Sequence, residues 1–145
     1  LNGATVSVFA DGKVQTQKTV VNGSITLDTA ASVVHVGLPI TADFETLDLN
    51  LPGLETIIPK AKIIPAVTVL MEETKSLKIG KDFNSLIDQK SRFIAHYDDP
   101  LDMTSGKVTT HIPTSWAAGG QIAIRVTDPV PVSILAVIPD VEVGA

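Results

Sequence analysis

Two turn dipeptides, Asp11-Gly12 and Asn22-Gly23, constrain this chain most, because each interrupts short runs in which apolar and polar residues alternate. A two-residue hairpin turn needs positive φ at its central positions, and Asp-Gly and Asn-Gly supply it at low steric cost. Val6 and Val8 alternate with Ser7 before the first turn, and Val14 through Val20 read as the returning strand. Ile25-Thr26-Leu27 resumes the strand pattern after the second. A further apolar run, Val33, Val34 and Val36, halts at Gly37-Leu38-Pro39. There Gly37 is expected to permit a tight corner and Pro39 to end the ladder.

Beyond that break, LDLNL (47–51) alternates leucines with Asp48 and Asn50, which predicts a half-buried strand ended by Pro52-Gly53. From Ile63 to Met71 apolar residues occupy both faces, which fits a central strand entered at Pro65; TKSLKIG reads as its polar end or a hairpin return. FNSLIDQK (83–90) is the one short helical turn expected, and 96–106 is a loop by composition. KVTTHIP (107–113), QIAIRVTD (121–128) and VSILAVIPDVEV (132–143) complete the strands. The expected fold is all-β, an antiparallel sandwich or barrel of about nine or ten short strands in a single domain over 1–145.

Composition narrows the function. Hydrophobic residues make up 44% and charged residues 19%, enough apolar material for a packed core. Aromatics are only 4%, so Val, Ile, Leu and Ala must build that core and a base-stacking platform is poorly supplied. Sixteen acids against eleven bases give a net charge of −5. Lys75, Lys78 and Lys81 are offset by Glu72, Glu73 and Asp82, so no basic stripe for phosphates emerges. The mean hydropathy is +0.29, yet the most apolar stretch, 129–139, is interrupted by three prolines and is too short to span a bilayer as a helix. No secretory leader is visible, and a chain beginning at Leu1 is expected to be a piece of something longer. Without cysteine there is no disulfide, thiolate nucleophile or zinc-thiolate site.

Catalytic groupings are scarce. His35, His96 and His111 lie far apart; His35 and His111 read as strand residues, and His96 beside Asp98-Asp99 reads as part of an acidic loop. Glu72-Glu73 are strand neighbours expected on opposite faces. No Gly-x-Ser-x-Gly elbow or phosphate-loop lysine motif occurs, and Gly119-Gly120 stands alone. Trp116, the sole indole, is a candidate partner contact and more simply a half-buried loop plug. The expectation is a protein that is not an enzyme, with no cofactor and no metal.

The stretch VVHVGLPITADFETLDLN (33–50) resembles a signature in the tail nozzle proteins (tail tubular protein B-like) of short-tailed bacteriophages. His35-Val36-Gly37-Leu38-Pro39 and Glu45-Thr46-Leu47 stand in the corresponding places. ADGKV and ASVVHVGLP before it, and SLKIGKDF, SGKV and QIAIRVTDPVPVSILAVIPDVEVG after it, follow a similar order. The resemblance covers nearly the whole chain but only the C-terminal part of those longer proteins. Ile40 departs from it, since the family often has Tyr there.

The resemblance implies a virion structural protein assembled in the host cytoplasm, forming part of a tail ring around the channel through which DNA leaves. Its partners would be copies of itself and other tail proteins, with DNA as transient cargo and no membrane-spanning segment. The family signature then marks Gly37, Leu38, Pro39, Glu45, Thr46 and Leu47 as a structural corner. Acids along such a channel would keep DNA from sticking. Two other functions compete with it. One is a β-sandwich module recognising a host glycan or another tail protein through loops 96–106 and 114–120. The other is a hydrolase built on His96, Asp98 and Asp99.

Overall fold

A computed structural model describes residues 1–50, 56–89, 102–113, 115–117 and 119–144. Over these residues the chain is all-β, with ten antiparallel strands in three sheets and no helix. β1 (Thr5–Ala10), β2 (Lys13–Thr19) and β3 (Val34–Gly37) form a sheet ordered β2-β1-β3. β5 (Lys62–Thr74) lies between β8 (Thr104–His111) and β10 (Ser133–Val143). The third sheet runs β4-β9-β6-β7, from β4 (Ala42–Glu45) through β9 (Ala123–Val126) and β6 (Leu77–Gly80) to β7 (Ile87–Gln89).

The second and third sheets share one core. Ile64, Val67, Val69 and Met71 of β5 pack with Leu77 and Ile79 of β6 and with Ile112, Ile122 and Ile124. This is a three-on-four sandwich whose aliphatic filling follows from the shortage of aromatics. The first sheet has its own smaller core of Val6, Val8, Ala10 and Val20, with Ile25 and Leu27 packed against it. Lys75, itself buried, ties the two together: its Nζ donates to the Gly12 carbonyl at 3.3 Å and stands 5.1 Å from the centre of the Phe9 ring.

Both turn dipeptides do what their sequence implies. Asp11 and Gly12 have φ of 45° and 81°, Asn22 and Gly23 of 52° and 76°, and each pair closes a two-residue turn. Pro65 lies inside central strand β5 rather than at its entry, which falls at Lys62. Its missing N–H coincides with a register shift on β10 between Asp140 and Glu142, opposite Ala66 and Ile63, so the ladder absorbs it.

Several sequence expectations are corrected. LDLNL is not a strand over its described residues 47–50, and Leu47 points into solvent; β4 forms earlier, at Ala42–Glu45. Ile25-Thr26-Leu27 is irregular and contributes only packing. TKSLKIG is neither a polar end nor a return along β5, because Leu77 and Ile79 are buried and β6 pairs with β7 and β9 in the other sheet.

Over its described residues, 83–89, the segment read as a helical turn is not helical. Asp82 accepts from the Asn84 amide and the Ser85 hydroxyl, making a turn that leads into β7. Gly80 is required there, since a Cβ at that position would sit 2.4 Å from the Ser85 carbonyl oxygen. β8 starts at Thr104, inside the stretch read as a loop. Glu72 and Glu73 are both exposed, because a register shift and a φ of 46° at Glu73 break the alternation. Among the described residues no helix is long and apolar enough to cross a membrane.

Candidate functional site

The corner singled out by the sequence connects two sheets. β3 pairs with β1 through Ser7↔Gly37 and Phe9↔His35; after four intervening residues β4 pairs with β9 through Ala42↔Val126 and Glu45↔Ala123. Leu38 and Pro39 lie between them. Gly37 does not adopt positive φ, and a Cβ built on it would meet nothing within 4 Å. The expected tight geometry at Gly37 is therefore absent, and the chain passes between sheets in an open connection.

Thr46 extends the β4–β9 ladder. Its amide donates to the Ile122 carbonyl at 2.9 Å, and its Oγ1 accepts from the Ile122 amide at 2.9 Å. Leu47, beyond this anchor, is 88% exposed, Leu49 packs on the core, and Leu51 lies outside the described residues.

Asp11, which pattern reading treated only as a turn residue, fixes where β3 begins. Its carboxylate accepts from the Ser32 and Val33 amides, both at 2.8 Å, and its own amide donates to the Val33 carbonyl. The spacing that could have revealed this is nonlocal, so no sequence signal carried it.

On β4, Asp43 meets Arg125 of β9 in a two-pronged ion pair, Nε to Oδ1 at 2.7 Å and Nη2 to Oδ2 at 2.8 Å. The guanidinium carbon also stands 4.8 Å from the centre of the Phe83 ring. Arg125 lies opposite Lys78, which pairs with Asp88 across β7, so the acids flank the two cations on this surface.

Beside this pair is an apolar cleft of about 540 Å³. Ile40, Phe44, Ile124, Val126, Val130 and Val132 line it, with Asp43 and Asp128 as its acids. A smaller cavity of about 230 Å³ collects Lys62, Lys81, Ser115 and the Gly119-Gly120 pair, with Asp82 as its acid. Lys81 donates to Ser115 Oγ at 3.1 Å.

Trp116 is half exposed near the end of β10, where a Cβ on Gly144 would lie 3.5 Å from its ring. His35 and His111 are exposed strand residues. His96, Asp98 and Asp99 lie outside the described residues. Among the described residues no three His, Cys, Asp or Glu side chains group to hold a metal.

Four aspartates at or near the surface have pKa values below the ordinary carboxylate range. Ser32 and Val33 amides act on Asp11, Lys18 and then Thr16 on Asp28, Arg125 on Asp43, and chiefly Ser85 on Asp82. A carboxylate whose folded pKa is depressed adds stability that is present above its unfolded pKa and is lost as pH falls through the folded value. Resistance to urea is expected to hold from neutrality to about pH 5 and to decline below about pH 4. Asp43→Asn should flatten part of that decline, and an unchanged acid limb would show that the pair does not contribute. No protein-family model matches the chain, and no curated protein matches it.

Proposed function

We propose that this chain is a structural part of a short-tailed phage's tail nozzle, contributing to a ring around the channel through which DNA leaves. The reading rests on the sequence resemblance. The single structural observation that supports it is the state of the segment bearing that resemblance, which crosses between two sheets as an exposed apolar strip rather than closing into the core. A chain that acts through assembly keeps such surface for its neighbours. The net charge of −5 supports the conduit role, since a like-charged wall repels a phosphate backbone.

Electron microscopy of the full-length product tests the reading. Rings with a central channel are the expected result. Dispersed particles that bind glycans, with binding abolished by Trp116→Ala, would overturn it in favour of the binding module.

A further inference from the structure

We propose that the strip from Val33 to Leu47 is the surface by which one copy of this chain docks on another, which deepens the ring reading and rests on it for closure of the contacts. Val33, Val36, Leu38, Ile40, Phe44 and Leu47 are each between 49% and 88% exposed. Together they leave uncovered nearly four whole apolar side chains, roughly 600–700 Å², where a standard interface takes about 800 Å² from each partner. A segment that leaves that much apolar surface uncovered is a candidate contact surface.

Charge selects the occupant. From Val33 to Ala42 no aspartate, glutamate, lysine or arginine occurs, in a chain whose net charge is −5. Two copies carry the same sign, so the contact they can bury with least repulsion and ion desolvation is one through this uncharged segment. Of the acids at the strip, Asp11 is held by the Ser32 and Val33 amides and Asp43 by Arg125, while Glu45 is exposed beyond the uncharged segment. A phosphate-bearing or strongly acidic partner finds no cation along the segment itself.

Backbone and shape agree with that choice. β3 and β4 both stand at the ends of their sheets, so among the described residues each has one edge unpaired in a ladder. Such edges accept a further extended segment through main-chain hydrogen bonds. The strip supplies both halves of the contact. Leu38 and Val36 are exposed on it, while Ile40 and Phe44 line the cleft of about 540 Å³, whose apolar lining suits apolar side chains.

The test is sedimentation of the full chain against the double variant Ile40→Lys/Leu47→Lys, with Val21→Lys as a control at an exposed position outside the strip. Self-association is expected to weaken about 30-fold or more in the double variant, the size of a lost interface hot spot, and to stay near the parent level in the control. Thermal melts check that each variant folds. Ile40→Ser/Leu47→Ser, which adds no charge, repeats the comparison if the lysine pair unfolds.

Association unchanged in the folded double variant overturns the proposal. So does a parent chain that stays monomeric to about 1 mM, which would assign the strip to a chemically different partner. Rings that persist in the double variant keep the ring and overturn the strip as its interface. Closed dimers or open fibres that the double variant abolishes keep the strip and overturn the ring.

Discussion

Ile79→Ala is expected to lower the stability of the sandwich by about 2–5 kcal/mol, the cost of removing a buried aliphatic side chain and leaving a cavity. Ile79 is fully buried at the middle of the third sheet, paired with Ile124 on one side and Ile87 on the other. Its side chain belongs to the cluster that includes Val67, Val69 and Met71 of β5, so the cavity would open between the two sheets. Neighbours fixed in two ladders cannot collapse into it freely, which favours the upper half of that range. Val21→Ala, at a position 62% exposed and outside the strip, should change stability by no more than about 0.5 kcal/mol. Urea unfolding separates the two: a lower midpoint at constant slope for Ile79→Ala, and an unmoved midpoint for Val21→Ala. Equal effects at both positions would contradict the placement of the core.

Lys62→Ala is expected to cost about 2–4 kcal/mol, whereas Lys62→Met should stay within about 1.5 kcal/mol of the parent. Lys62 is only 1% exposed at the start of β5, and its Nζ donates to the carbonyls of Ile58 at 3.1 Å and Lys60 at 3.3 Å. Its four-carbon stem fills space beside Gly120, where an added Cβ would lie 2.9 Å from Lys62 Cδ. Alanine empties that space and also removes the donor from both carbonyls. Methionine refills most of the volume and removes the cost of holding an ammonium out of water, which offsets the lost hydrogen bonds. The backbone bonds between Lys62 and Ala117, at 2.7 and 2.9 Å, survive either change. Denaturant midpoints of the two variants measure the difference. If methionine proved as damaging as alanine, the ammonium rather than the stem would be what stabilises this end of β5.

Lys62 also shows why part of the structure was illegible in the sequence. A lysine beside Ile63 and Ile64 gives no local sign that it will be enclosed, because its burial depends on Gly120 and Ala117, far along the chain. Leu47 is the converse case. Its alternation with Asp48 satisfied the pattern of a half-buried strand, but Thr46 ends the pairing with β9 and leaves Leu47 outside. Pattern reports which residues could share a face. It does not report which face another sheet will cover.

Turn chemistry was more readable. Asp11-Gly12 and Asn22-Gly23 were found where positive φ was expected, because that requirement is met within the dipeptide itself. The 83–90 segment was misread because its decisive residue, Gly80, acts by letting the Ser85 backbone approach, a contact with no periodicity to detect.

The sequence by itself determined that the chain is all-β, where its tight hairpin turns fall, and that its core is aliphatic. Those properties follow from backbone sterics and side-chain inventory, which are local. Only the tertiary structure decided that β5 and β6 enter different sheets, that Asp11 anchors β3, and that the corner at Gly37-Leu38-Pro39 stays outside the core. Those outcomes depend on pairings between residues distant in the chain, where burial of one surface leaves another uncovered.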